Sequence, residues 1–171
     1  LSNCLIALDC SFEDIVQTLK PDAISFGGTK NGLLGVEAVL LFDDQRIRNF
    51  KFIRKQNMQL PSKSRFLAAQ FEAYFEDGLY LEIARHSHEK AIQLERRLRE
   101  INSIHIIHPV ESNAVFAVIP KKWTKSLKES LFFYIWDESQ WSVRLMCSFD
   151  TSDEDIERFV ETAKELESKG V

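Results

Sequence analysis

From residue 64 to residue 102 apolar side chains recur at almost unbroken helical spacing, and no other feature constrains the architecture of this chain as strongly. Phe66, Leu67, Ala69, Ala73 and Tyr74 mark one face, and the Asp77-Gly78 pair is expected to interrupt the run. Ile83, Ala84, Ala91, Leu94, Leu98 and Ile101 carry it onward. Glu95, Arg96, Arg97, Arg99 and Glu100 interleave with them and read as a solvated face. Helices of this length often join two domains, and the patterns on either side of this one differ.

Before it, Ser11 to Asp14 forms a capping-box-like start, and Phe12, Ile15, Val16 and Leu19 continue at helical spacing until Pro21. Residues 23–26 read as a short buried strand, 27–32 as a loop, and 38–42 as a second apolar strand closed by Asp43-Asp44. Two strands cannot bury a sheet on both faces, so this order suits the edge of an α/β domain. After it, 104–107, 114–119, 131–135 and 143–149 are strand-like segments separated by polar turns. Thr151 to Glu154 reads as a capping box, with Ile156, Phe159, Val160, Ala163 and Leu166 following on one helical face. A small α+β unit is expected there, with an antiparallel sheet covered by the last helix.

Composition excludes several classes of function. With 44% hydrophobic and 28% charged residues the chain is globular, neither disordered nor collagen-like. A net charge of −4, without a basic stripe, argues against a nucleic-acid partner. No apolar run approaches a membrane span and no signal peptide is evident, so a soluble protein without a membrane partner is expected. Cys4, Cys10 and Cys147 show no paired spacing and read as buried, reduced thiols of a cytoplasmic protein. The chain opens at Leu1 rather than Met, directly in an amphipathic segment, which gives the expectation of a piece of something longer.

The segment SFGGTKNG, residues 25–32, is the most pointed local feature. Its glycines allow close approach of a flat ligand. A lysine at a strand end, in a cleft, can condense with a carbonyl if burial or a neighbouring cation lowers its pKa. Taken from the residues alone, Lys30 is either such a group or a solvated lysine in a polar hairpin loop. The glycine and lysine spacing is not that of a phosphate-binding Walker loop.

SFGGTKNG with the following LLGVEAV (residues 33–39) resembles the cofactor-lysine segment of the threonine aldolase / β-eliminating lyase family. Further segments agree in order and spacing. LSNCLIALDC (1–10) resembles the helix after the family's His-x-Asp-Gly-Ala-Arg motif. RKQNMQLPSKSR (54–65) with FLAAQ (66–70) resembles the segment after the lysine strand. NAVF (113–116) and VRLMCSFD (143–150) resemble two inner segments of the C-terminal domain. The resemblance covers essentially the whole chain. It implies an α/β fold: the C-terminal part of a fold type I pyridoxal-phosphate transferase-like large domain (1–60), connecting helices (61–103) and a small α+β C-terminal domain (104–171).

The same resemblance implies a lyase that cleaves a β-hydroxy-α-amino acid to glycine and an aldehyde, with pyridoxal 5'-phosphate as cofactor. By position Lys30 holds the cofactor, and Thr29 and Ser25 either bond its phosphate or shape the loop. Arg144 matches the arginine that grips the substrate carboxylate, a task suited to a bidentate guanidinium; its other reading is an edge-strand cation with its head in water. Arg54 and Lys55 lie in a basic stretch, 46–65, read either as reaching a phosphate or substrate across a subunit interface or as a solvated face. A homodimer or tetramer is implied, as is an upstream half carrying the rest of the cofactor site, which this chain would lack; alone it should be inactive. Alternatives left open are another fold type I lyase or aminotransferase, and a non-catalytic remnant serving in assembly. His86, His88, His105 and His108 lack the spacing of a metal site.

Overall fold

A computed structural model describes residues 1–170, apart from the side chains of Asp44, Gln45 and Arg46. The chain divides into two units, Leu1–Ile83 and the remainder from Ala84 on.

In the first unit, helix α1 (Ser2–Leu8) buries Leu5. Helix α2 (Phe12–Leu19) starts at the expected capping box: Asp14 N–H donates to Ser11 Oγ at 3.0 Å, and Ser11 N–H donates to Asp14 Oδ2 at 2.9 Å. Strands β1 (Ala23–Gly27) and β2 (Glu37–Leu41) pair antiparallel, with Gly27 opposite Glu37 and Ala23 opposite Leu41. This corrects the reading of 23–26 as a buried strand. The two strands make a sheet of their own, and in β1 only Phe26 is buried.

Helix α3 (Asp44–Gln56) occupies most of the basic stretch, where the sequence pattern predicts no helix. It keeps Ile47, Phe52 and Ile53 exposed along with its cations, so it has no buried stripe to reveal it. Arg46, the first cation of that stretch, has a side chain outside the described residues.

Helix α4 (Arg65–Phe75) corrects the expected face: Phe66, Ala69 and Ala73 are exposed and Tyr74 is buried. Two arcs of this helix carry apolar residues, and the rings win because burial energy grows with the area covered. Phe71, Tyr74 and Phe75 close on Phe26, with ring centroids 6.4, 6.3 and 5.2 Å away, and Phe12 and Tyr80 complete the knot at 5.9 and 6.1 Å. The break at Asp77-Gly78 is present, both residues having positive φ. Helix α5 (Leu79–Leu98) follows and buries Ala84, Ser87, Ala91, Leu94 and Leu98 on one side.

The second unit is the antiparallel four-stranded sheet expected, in the order β3-β4-β6-β5. Its strands are β3 (His105–Ile106), β4 (Ala114–Val118), β5 (Tyr134–Asp137) and β6 (Ser142–Met146). Between β4 and β5 stands helix α6 (Thr124–Ser130), unread in the sequence, preceded by the buried Trp123. The last helix, α7 (Asp153–Ser168), is capped by Ser152 with Asp155 in the reciprocal position, one residue later than expected. Its Ile156, Phe159, Val160 and Ala163 join Val115, Ala117, Val143 and Leu145 of the sheet in a continuous core. Of the three cysteines expected to be buried only Cys147 is; Cys4 is exposed and Cys10 half-buried. Among the described residues no helix is long and apolar enough to cross a membrane.

Candidate active site

Lys30 sits in the connection between β1 and β2, as the middle residue of a single 3-10 turn, Thr29–Asn31. Of the glycines before it, Gly28 is sterically required because it faces backbone, whereas Gly27 faces the movable end of the Glu37 side chain. A Cβ on Gly28 would come within 2.7 Å of the Val36 carbonyl oxygen, and one on Gly27 within 2.9 Å of Glu37 Oε2. The turn closes at Gly32, whose φ of 98° favours glycine. Gly28 N–H donates to the Val36 carbonyl at 3.2 Å, and the Gly28 carbonyl accepts from Asn31 N–H at 2.9 Å.

Beside the turn lies a cleft of about 380 Å³, lined by Leu1, Ser2, Asn3, Gly27, Lys30, Asn31 and Glu37. Lys30 is exposed at its edge. The cleft is rich in acceptors: the Oδ1 atoms of Asn3 and Asn31 are buried with no donor, and Glu37 presents a carboxylate. Leaving a buried carbonyl oxygen unpaired costs about 1–3 kcal/mol, so these atoms mark a polar wall under constraint.

The other expected site residues are placed differently. Ser25 and Thr29 are exposed and do not line the cleft. Thr29 Oγ1 donates to the Val36 carbonyl at 3.5 Å, a bond within the loop itself. Arg54 lies exposed in the last turn of α3, with Lys55 beside it, and neither lines the cleft. Glu37, Asn31 and the hydroxyl of Tyr74 join the site without a signal in the local sequence. Asn31 bonds Tyr74, 43 residues away, and nothing in the local pattern announces such a pairing.

In the second unit Arg144 stands on β6 opposite Phe116 of β4 and Tyr134 of β5. Its neighbours in sequence are Val143 and Leu145, but they do not surround it. Alternation sends Val143 and Leu145 into the core and Arg144 to the outer face. There its guanidinium lies 5.0 Å from the Trp136 ring centroid, and Trp136 in turn packs edge-on to Phe116 at 5.3 Å. Arg144 Nε is buried without a hydrogen-bond partner. A guanidinium stacked against an aromatic ring keeps its charge and its planar fork of donors.

Asn113 sits beside it as a structural group: its Nδ2 donates to the Cys147 carbonyl at 2.8 Å, and its carbonyl accepts from Cys147 N–H at 2.9 Å. Burial pushes the Cys147 thiol up to about 12, so it is inert as a nucleophile. His86 is engaged by the Thr151 carbonyl at 2.9 Å, and His108 packs against Phe116. Among the described residues no three or more His, Cys, Asp or Glu converge as metal ligands would.

No protein-family model matches the chain. It is 33% identical over 165 residues to the low specificity L-threonine aldolase of Pseudomonas aeruginosa, covering 96% of this chain and 47% of that protein. It is 32% identical over 152 residues to the low specificity L-threonine aldolase of another Pseudomonas, covering 89% and 44%. Its fold superposes on the threonine aldolase of Leishmania major with a TM-score of 0.85 and 26% identity, over 96% of this chain and 49% of that one. The chain thus spans about half the length of the relatives it matches. Threonine aldolases are pyridoxal-phosphate-dependent lyases of fold type I. In sequence and in fold, the chain is a homologue of the threonine aldolases, corresponding to their C-terminal half.

Proposed function

We propose that this chain forms the C-terminal part of a pyridoxal-phosphate-dependent lyase that cleaves a β-hydroxy-α-amino acid to glycine and an aldehyde. The observation that carries the reading is Lys30: a primary amine on a glycine-bounded turn, at the edge of a cleft able to take a small planar ligand. The remaining half of the site is assigned to the part of the relatives' length that the given sequence does not span, and a protein that carries both parts is called the assembled protein below.

The residues present fit one edge of the cofactor. Lys30 offers the amine that its aldehyde requires, and Gly27 and Asn31 line the cleft beside it. The phosphate is assigned to the other half, and Ser25 and Thr29 act in shaping the hairpin and loop. When bound, pyridoxal phosphate supplies an electron sink for the charge that develops at Cα as the Cα–Cβ bond breaks. Arg144 grips the substrate carboxylate in two parallel hydrogen bonds, so that the bond to be broken is held in one orientation. Trp136 lies against that guanidinium, 5.0 Å from ring centroid to the guanidinium carbon.

Arg54 and Lys55 on the exposed, apolar-studded α3 make this helix the natural contact for a second copy, in a homodimer or tetramer. The exposed free thiol of Cys4 suits a reducing, cytoplasmic setting.

The test is reductive trapping. Borohydride added to the assembled protein with cofactor should leave a stable adduct whose mass maps to Lys30, and Lys30→Ala should abolish the adduct and the visible band of the bound cofactor. An adduct on another lysine sinks the reading. Aldehyde release, rather than pyruvate release, from a β-hydroxy amino acid separates aldol cleavage from β-elimination.

A further inference from the structure

We infer that Asn31 and Glu37 are the positioning residues that aim Lys30, with Asn31 the dominant anchor; the inference rests on the reading of Lys30 as the cofactor-holding lysine. Three residues of one 3-10 turn decide the direction in which the Lys30 side chain leaves the backbone. A lone turn of this kind has poor hydrogen-bond geometry and few bonds of its own. Here both of its ends are fastened by side chains.

At the front, Thr29 N–H donates to Glu37 Oε1 at 3.3 Å, and the β1–β2 register brings Glu37 there by placing it opposite Gly27. At the rear, Asn31 Nδ2 donates to the Tyr80 carbonyl at 3.2 Å and also to Tyr74 Oη. The Tyr80 carbonyl can only accept, so the amide nitrogen must face it, and Asn31 Oδ1 is the atom left buried without a donor. Tyr74 is itself held: its hydroxyl shares a 3.2 Å hydrogen bond with Ser2 Oγ, and its ring lies in the aromatic knot around Phe26.

The two fastenings differ in strength for a stated reason. Asn31 is 6% exposed and Tyr74 0%, so water cannot replace the rear bond, whereas Glu37 is exposed and its bond competes with solvent. The tolerated orphan at Asn31 Oδ1 points the same way: the amide is kept for its nitrogen, at the expense of its oxygen.

Pyridoxal phosphate is added to the assembled protein freed of cofactor, and the visible absorbance and induced circular dichroism of the bound cofactor are read beside kcat and KM. Absorbance reports capture by Lys30, and dichroism per unit absorbance reports how rigidly the captured group is oriented. Loss of fold stability, below the melting point, moves neither. Lys30→Ala removes the absorbance and so tests the underlying reading by itself. Asn31→Ala is expected to keep the absorbance, lose about half or more of the dichroism, and lower kcat about tenfold with KM within about twofold. Tyr74→Phe keeps the ring packing and one of the two anchors, so it should move the same readouts less; it decides the matter if Asn31→Ala does not fold. Glu37→Gln keeps an acceptor for Thr29 N–H and should recover most of what Glu37→Ala loses. If the deciding variant leaves dichroism and kcat unchanged, the anchor at Asn31 is overturned. If Glu37→Gln is no better than Glu37→Ala, the front fastening is overturned.

Discussion

The two units solve the problem of burial in opposite ways. The unit from Ala84 on gathers α5, the four-stranded sheet, α6 and α7 around one continuous core, in which Trp123, Val115, Val143 and Val160 are fully buried. The unit Leu1–Ile83 has a two-stranded sheet and one aromatic knot, and it leaves Leu34, Phe52, Met58 and Phe66 widely exposed. An isolated pair of strands is marginal by itself in water, so what order the first unit has rests on side-chain fastenings. The lesson is that the region carrying Lys30 is the less self-sufficient one, and that its specific hydrogen bonds matter more for that reason.

The comparison breaks most readily in the core of the second unit. Phe159→Ala should cost about 3–5 kcal/mol, read by denaturant unfolding of the chain. A loss under 1 kcal/mol (on the order of a surface change) would mean that the core is loosely packed and the contrast false. Next in size is Cys147→Ser, which puts a hydroxyl where a buried, un-ionised thiol now sits. A penalty of about 1–3 kcal/mol is expected, visible as a lower melting temperature.

A matched pair sharpens the contrast, because both units contain the same capping box. Ser152→Ala and Ser11→Ala each remove an N-cap bond worth about 1 kcal/mol. Hydrogen exchange should show the first weakening protection through α7 and the core, and the second fraying α2 alone. Equal spread from both would erase the difference between the units. The caps also respond to acid. The backbone N–H and hydroxyl of Ser152 hold the Asp155 carboxyl below its usual range, and the hydroxyl and backbone N–H of Ser11 do the same for Asp14. A carboxyl depressed in the folded state contributes stability that is present above its ordinary pKa and lost as pH falls through the lowered one. Both helix starts should therefore loosen below the ordinary carboxylate range, and amide exchange measured against pH reads this directly.

The smallest effect is expected at the surface of the first unit. Phe52→Ser on α3 should change the stability of the chain by no more than about 0.5 kcal/mol. In the assembled protein the same change should weaken association between copies, by sedimentation. A large loss of stability in the isolated chain would show that Phe52 is less solvated than its 57% exposure indicates.

What the sequence determined by itself are the features whose causes lie within a few residues. The Ser11–Asp14 box, the break at Asp77-Gly78, the strands of the second unit and the glycine-lysine segment all follow from local hydrogen bonding, backbone sterics or hydrophobic period. Where two local answers competed, packing chose between them: the cap of α7 fell on Ser152 rather than Thr151, and α4 turned Phe71 and Tyr74 inward rather than Phe66 and its alanines. Helix α3 stayed hidden because Ile47, Phe50, Phe52 and Ile53 do not gather on one helical face among its charged residues. The surroundings of Arg144 and the anchoring of Asn31 were beyond reach for a different reason. Strand alternation turns Arg144 away from its neighbours in sequence, and Asn31 meets a hydroxyl that a distant helix brings to it. Contacts of that kind depend on which elements pack together, and only the tertiary structure decides that.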